Sequence, residues 1–272
     1  MPFYDLLTDV WSADAVVLKL LLGSIFGLCL GLTGVGGGVL LIPMLQLFCG
    51  MSPVLAVGTA SMISAMVKIN ASLIHIKARN VSWNKIALLF VGAVPVTLVV
   101  TQMVVYFSTH PYYSQATEQT ITWLVTIVMV GSLISVFSKY KGAAVGYTAV
   151  TSNPKTNTKK AIMSGMFCGS VLGSTGVGGG VLLLPVLNNV LHLDIKKAVG
   201  SSVVLALSLS AIAAAGYAKG GQSDVNTAIL FFIGSFVGVP ISAYLMKRMS
   251  ERHVYSATMV VISVSLIAYL AL

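Results

Sequence analysis

The chain has 272 residues, of which 57% are hydrophobic and only 8% charged, with a formal net charge of +9 and a mean hydropathy of +0.94. This composition excludes an ordinary water-soluble domain and fits a polytopic all-α membrane protein, in which most side chains meet lipid or one another. The positive balance does not indicate nucleic acid as a partner, because Lys and Arg fall between apolar runs, where they act as topology signals and headgroup contacts.

Residues 1–15 carry Asp5, Asp9 and Asp14 and no basic cluster. That is unlike a cleavable signal peptide, so the first apolar run is expected to stay in the mature chain. Runs close to or above the ~20 residues needed to cross a bilayer follow at 15–32, 56–76, 86–107, 119–137, 198–218, 228–246 and 254–272. Two shorter runs, 39–48 and 181–191, each follow a glycine cluster and predict short or broken spans, giving about eight to ten helices. Cys29, Cys49 and Cys168 have neither paired nor metal-ligand spacing, so no disulfide framework, metal or other cofactor is expected.

The stretch GLTGVGGGVLLIPML from Gly31 returns as GSTGVGGGVLLLPVL from Gly173, identical at 12 of 15 positions and displaced by 142 residues. The same displacement pairs Gly27 with Gly169, Gly58 with Gly200, Lys77 with Lys219, Asn84 with Asn226 and Gly92 with Gly234. Two copies of one unit are therefore predicted, 1–137 and 161–272, joined by a polar linker at 138–160. Run 161–172 becomes the counterpart of the first span.

Three loops are basic, around Lys77, Arg79 and Lys85; Lys139, Lys141, Lys155, Lys159 and Lys160; and Lys247, Arg248 and Arg252. By the positive-inside rule these are cytoplasmic, and both termini and the 108–118 loop lie outside. An outside N-terminus and an inside linker require an odd number of crossings, which inverts the second copy. Inversion puts the loop near Met51 outside and its partner at Lys196 and Lys197 inside. Lys19 and Lys219 run against this assignment.

Transporters built on inverted repeats place substrate near the membrane midplane, where broken helices meet. Consecutive glycines at Gly34, Gly36, Gly37 and Gly38, and at Gly176, Gly178, Gly179 and Gly180, end one helix and free backbone amides that must face protein, ligand or water. The half-helix that follows points its positive dipole end at that space, which suits an anion, and Thr33 and Thr175 can add hydroxyl donors. Close helix packing is the competing reading, although packing glycines recur at every fourth position. A phosphate loop is excluded because no Lys-Ser/Thr pair follows.

Segments opening at Val57 and Val199 begin with Thr59 and Ser61, and with Ser201 and Ser202. They read either as a second anion cradle at a helix start, or as caps and hydroxyls bonded back to their own helix. Lys68 stands mid-span, where an unpaired charge costs about 3 kcal/mol. A bound anion, with Asn70 beside it, would supply its partner; alternatively the side chain snorkels to the inner face. Its counterpart is Ser210, so a site using Lys68 is asymmetric. His75 lies near the inner edge, where an interfacial role is expected. Trp83, Tyr112, Tyr113 and Trp123 fit interfacial belts.

The paired G-x-T-G-V-G-G-G-x-L-L-x-P motifs on a duplicated membrane unit resemble the TauE/SafE family of sulfite and organosulfonate exporters, over nearly the whole chain. That resemblance implies export of sulfite, sulfoacetate or related sulfonates across a prokaryotic inner membrane by a secondary transporter. A cation-coupled importer of a small anion and a non-transporting membrane scaffold are the alternatives. No Ser/His/Asp, Cys/His or metal-ligand set converges in the sequence, which argues against an enzyme. Whether H⁺ or Na⁺ couples to transport, and whether the chain forms a homo-oligomer, is left open.

Overall fold

The computed structural model describes residues 13–33, 38–142, 158–176, 179–246, 248 and 251–270. Among them every regular element is helical: α1 (Ala13–Thr33), α2 (Gly38–Cys49), α3 (Pro53–Lys77), α4 (Trp83–Thr109), α5 (Ser114–Gly142), α6 (Thr158–Thr175), α7 (Gly179–Pro185) running into a π-helical turn (Val186–Val190), α8 (Ile195–Lys219), α9 (Val225–Met246) and α10 (Glu251–Leu270). Of these, α3, α4, α5, α8 and α9 contain segments long and apolar enough to cross a membrane. The protein is an all-α, multi-pass membrane protein. Phe26, Ile42, Ile63, Leu172, Leu209 and Phe231 are buried at its centre, while Leu21, Val91, Ile127 and Val264 lie exposed on outer faces, where hydrocarbon solvates them.

The expected breaks fall between α1 and α2 and between α6 and α7. Gly34, Gly36, Gly37 and Gly178 lie outside the described residues. Pro43 and Pro185 sit inside the short helices, where each removes one backbone donor and so frees a carbonyl one turn earlier. After Pro185 the chain widens into the π turn. The ends of the polar linker are helical, since α5 runs to Gly142 and α6 begins at Thr158; residues 143–157 lie outside the described part.

The two most extensive interfaces pair α1 with α9 and α4 with α6, and α3 crosses α8. All three follow a two-fold exchange of the halves. A Cβ on Gly27 would stand 2.8 Å from the Ser235 backbone, and one on Gly169 would stand 2.4 Å from the Ala93 carbonyl; these contacts are related by the displacement of 142 residues. Small residues thus bring helix backbones together here. α1 runs parallel to α9, because Gly23 meets Phe231 as Gly27 meets Ser235. α3 and α8, which correspond to each other, run antiparallel: Gly58 lies against Tyr217 and Gln222, Ser64 against Ser210, and Gly200 against Asn80.

The exchange extends to single hydrogen bonds. Thr59 Oγ1 accepts from the Asp224 amide at 2.9 Å, and Ser201 Oγ accepts from the Ser82 amide at 3.0 Å. Asp224 then caps α9 by accepting from the Thr227 amide at 3.1 Å.

Candidate functional site

Lys68 lies near the middle of α3, and its ammonium donates to the hydroxyl of Ser64 one turn earlier. Ser64 Oγ is 3.5 Å from Ser210 Oγ on α8, so the two central helices meet through a short polar chain. Ser64 and Ser210 are almost wholly buried, and Lys68 is partly buried. Among the described residues no carboxylate pairs with Lys68.

Lys68 lines a cavity of about 370 Å³ between α1, α3, α7, α8 and α9. Its walls are mostly apolar, with Leu184 contributed by the short helix after the second glycine break. Lys68, Asn70 and Ser202 supply polar atoms, together with Ser235. From Lys68 the cavity runs along α3 to Ile74, along α8 toward Val199 and along α9 to Pro240. Those are the ends at which α3 stops at Lys77, α8 begins just before Lys196 and Lys197, and α9 approaches Arg248. A basic rim therefore stands at the end toward which the cavity runs, and would raise the local concentration of small anions.

The remaining expected ligands divide. α3 begins at Pro53 and α8 at Ile195, so Thr59, Ser61, Ser201 and Ser202 lie within these helices. The second anion cradle is corrected on this point: amides in a helix interior are already bonded to carbonyls. Thr59 and Ser201 instead hold the start of a helix in the other half. Ser61 donates to the Val57 carbonyl at 2.8 Å and Ser202 to the Val199 carbonyl at 2.8 Å, the back-bonding alternative. Only Ser202 of the four lines the cavity.

Thr175 is buried and donates to the Val171 carbonyl at 2.6 Å. Gly176 has φ +63°, and a Cβ there would fall 2.5 Å from Ser61 Oγ and 2.7 Å from the Val57 carbonyl. Both its conformation and its packing against α3 demand glycine. Gly38, Gly179 and Gly180 open the short helices α2 and α7, and Thr33 closes α1.

Ser64 was not singled out in the sequence, although its place four residues before Lys68 on one helix face is the signal that would have found it. Glu118 was placed in a loop before its apolar run. It lies inside α5 and accepts from the Val54 amide at 3.0 Å, at the N-terminus of α3, a pairing that no local pattern announces.

The family model described as "Sulfite exporter TauE/SafE" matches residues 19–269. The chain is 25% identical to a probable membrane transporter protein of Bacillus subtilis, YjnA, over 86% of this chain and 91% of that protein. It is 24% identical to a probable membrane transporter protein of Xylella fastidiosa, with 95% of each chain covered. No solved structure matches. The chain belongs to the sulfite exporter TauE/SafE family.

Proposed function

We propose, with membership of the sulfite exporter TauE/SafE family as the premise, that this membrane transporter exports small sulfur-containing anions, sulfite, sulfoacetate or related sulfonates, by alternating access. The observation that carries this reading is Lys68: a cation in the middle of the molecule, on a cavity wall, with no carboxylate partner among the described residues. An anion in that cavity would complete the pairing, which in a low-dielectric site is worth far more than at a surface. Asn70 and Ser202 would orient it. The first amides of α7, which contributes Leu184 to the wall, would supply further donors, whereas the corresponding short helix α2 does not line the cavity.

Inversion of the two halves is supported by the antiparallel packing of the corresponding helices α3 and α8, which calls for an odd number of crossings in each half. With the basic loops and the 138–160 linker on the cytoplasmic side of a prokaryotic inner membrane, both termini lie outside. An inside-negative potential then drives an anion outward without any coupling ion.

The test is flux of labelled sulfite and sulfoacetate in proteoliposomes under an imposed potential, comparing the parent with Gly37→Val and Lys68→Ala. Saturable flux in the parent, lost in both folded variants, is expected. Absence of flux for either anion at either sign of potential would overturn the substrate assignment, and sodium-dependent uptake would favour an importer instead.

A further inference from the structure

The cavity has a counterpart position 142 residues away in the other half, and that position is closed. Ile74 is 66% exposed at the cavity wall, and Lys68 and Ala71 are partly exposed. Their counterparts Gly216, Ser210 and Ala213 are buried, the last two at 1% and 0% exposure. The duplication relates the two positions, yet one side is open and the other sealed.

Tyr217 lies within the seal. It is among the largest fully buried side chains, it packs against Gly58, and its hydroxyl donates to the Gly173 carbonyl at 2.7 Å, at the head of the second glycine motif. Its counterpart is His75, on the open side. His75 is partly exposed, and its Nδ1 is buried without a hydrogen-bond partner. A buried polar atom left unpaired is costly, and the carbonyl that corresponds to Tyr217's acceptor is that of Gly31, at the head of the first motif. An imidazole protonated at Nδ1 donates to a carbonyl as a phenol does.

We infer that the structure is the state open toward the basic loops, and that Tyr217 and His75 are paired gate residues. Tyr217 latches the far side shut on Gly173; when the halves exchange conformations, His75 latches the near side shut on Gly31 and Tyr217 releases. This rests on the transport reading, and it assigns His75 a role away from the membrane interface. Each gate bonds the helix that leads into a glycine motif, so closing a gate also holds the end of that helix.

The test uses thiol labelling of the full chain with Cys29, Cys49 and Cys168 replaced by Ser. Ala71→Cys reports the open side and Ala213→Cys its sealed counterpart. A membrane-impermeant maleimide is applied to intact cells and to inverted vesicles. Ala71→Cys is expected to label from the basic-loop face only, and Ala213→Cys slowly. Tyr217→Phe, which keeps the ring and removes the hydrogen bond, is expected to speed Ala213→Cys labelling from the opposite face about fivefold. His75→Ala is expected to slow it by a similar factor, and serves if Tyr217→Phe does not fold.

Unchanged Ala213→Cys labelling in a folded gate variant, or faster labelling at both reporters from both faces, would overturn the inference. Labelling needs no substrate, so the two readings fail separately. Shifted labelling without flux of sulfite or sulfoacetate removes the substrate assignment and leaves the gates; flux with unshifted labelling does the reverse.

Discussion

Gly50 and His192 stand 142 residues apart, and both adopt left-handed backbone, at φ 63° and 49°; Arg79 and Gly221 form a second such pair, at 54° and 69°. In each pair the fold needs the same turn and one copy supplies it without glycine. A side chain there costs about 1 kcal/mol. His192→Gly is therefore expected to raise stability by up to about 1 kcal/mol, read as a higher thermal midpoint in detergent; an unchanged or lower midpoint would show that His192 has compensating contacts. Gly200 is the opposite case, because a Cβ would come 2.2 Å from the Asn80 carbonyl. Gly200→Val is expected to cost about 3 kcal/mol and to reduce the folded fraction in size-exclusion chromatography. Gly131→Ala, with nothing within 4 Å, should change stability by no more than about 1 kcal/mol.

Helices that are too short or interrupted depend on partners from elsewhere in the chain. The π turn after α7 ends with the Leu191 carbonyl accepting from the Lys85 ammonium at the start of α4, a cation at a helix C-terminus. At the start of α3, Pro53 occupies the first turn, Ser52 makes no side-chain cap, and the Glu118 carboxylate accepts from the Val54 amide. An anion at a helix N-terminus is favourable for the complementary reason. Glu118→Gln keeps the shape and removes the charge, so a loss of about 1 kcal/mol is expected in thermal unfolding, while Gln119→Ala at the exposed next position should be silent. Equal losses in Glu118→Gln and Gln119→Ala would argue that α5, rather than its contact with α3, is being disturbed.

At the scale of the whole molecule, Lys68 sets stability against function. A buried cation is costly unless a ligand or a hydrated cavity offsets it. Lys68→Met is therefore expected to leave the thermal midpoint unchanged or raised while lowering anion flux at least about tenfold; a variant that keeps its flux would place the site elsewhere. The duplication, the helical class, the position of both breaks and the mid-span lysine were all legible in the sequence. They follow from local quantities: hydropathy over about 20 residues, glycine's backbone freedom and the cost of a charge in lipid. Self-comparison also paired positions of the two copies at a displacement of 142 residues. The partners of the hydroxyls were not legible. Thr59 and Ser201 each bond an amide in the opposite half, and a serine's preference for a cap or a ligand is the same until a backbone is placed beside it. Nor could the sequence tell that Ser202 faces the cavity while Ser201 does not, or that Tyr217 is sealed where His75 is partly exposed. Sequence shows which residues correspond and where they already differ, as His75 does from Tyr217; only three-dimensional packing decides which of two corresponding positions is buried, because both copies share one interior.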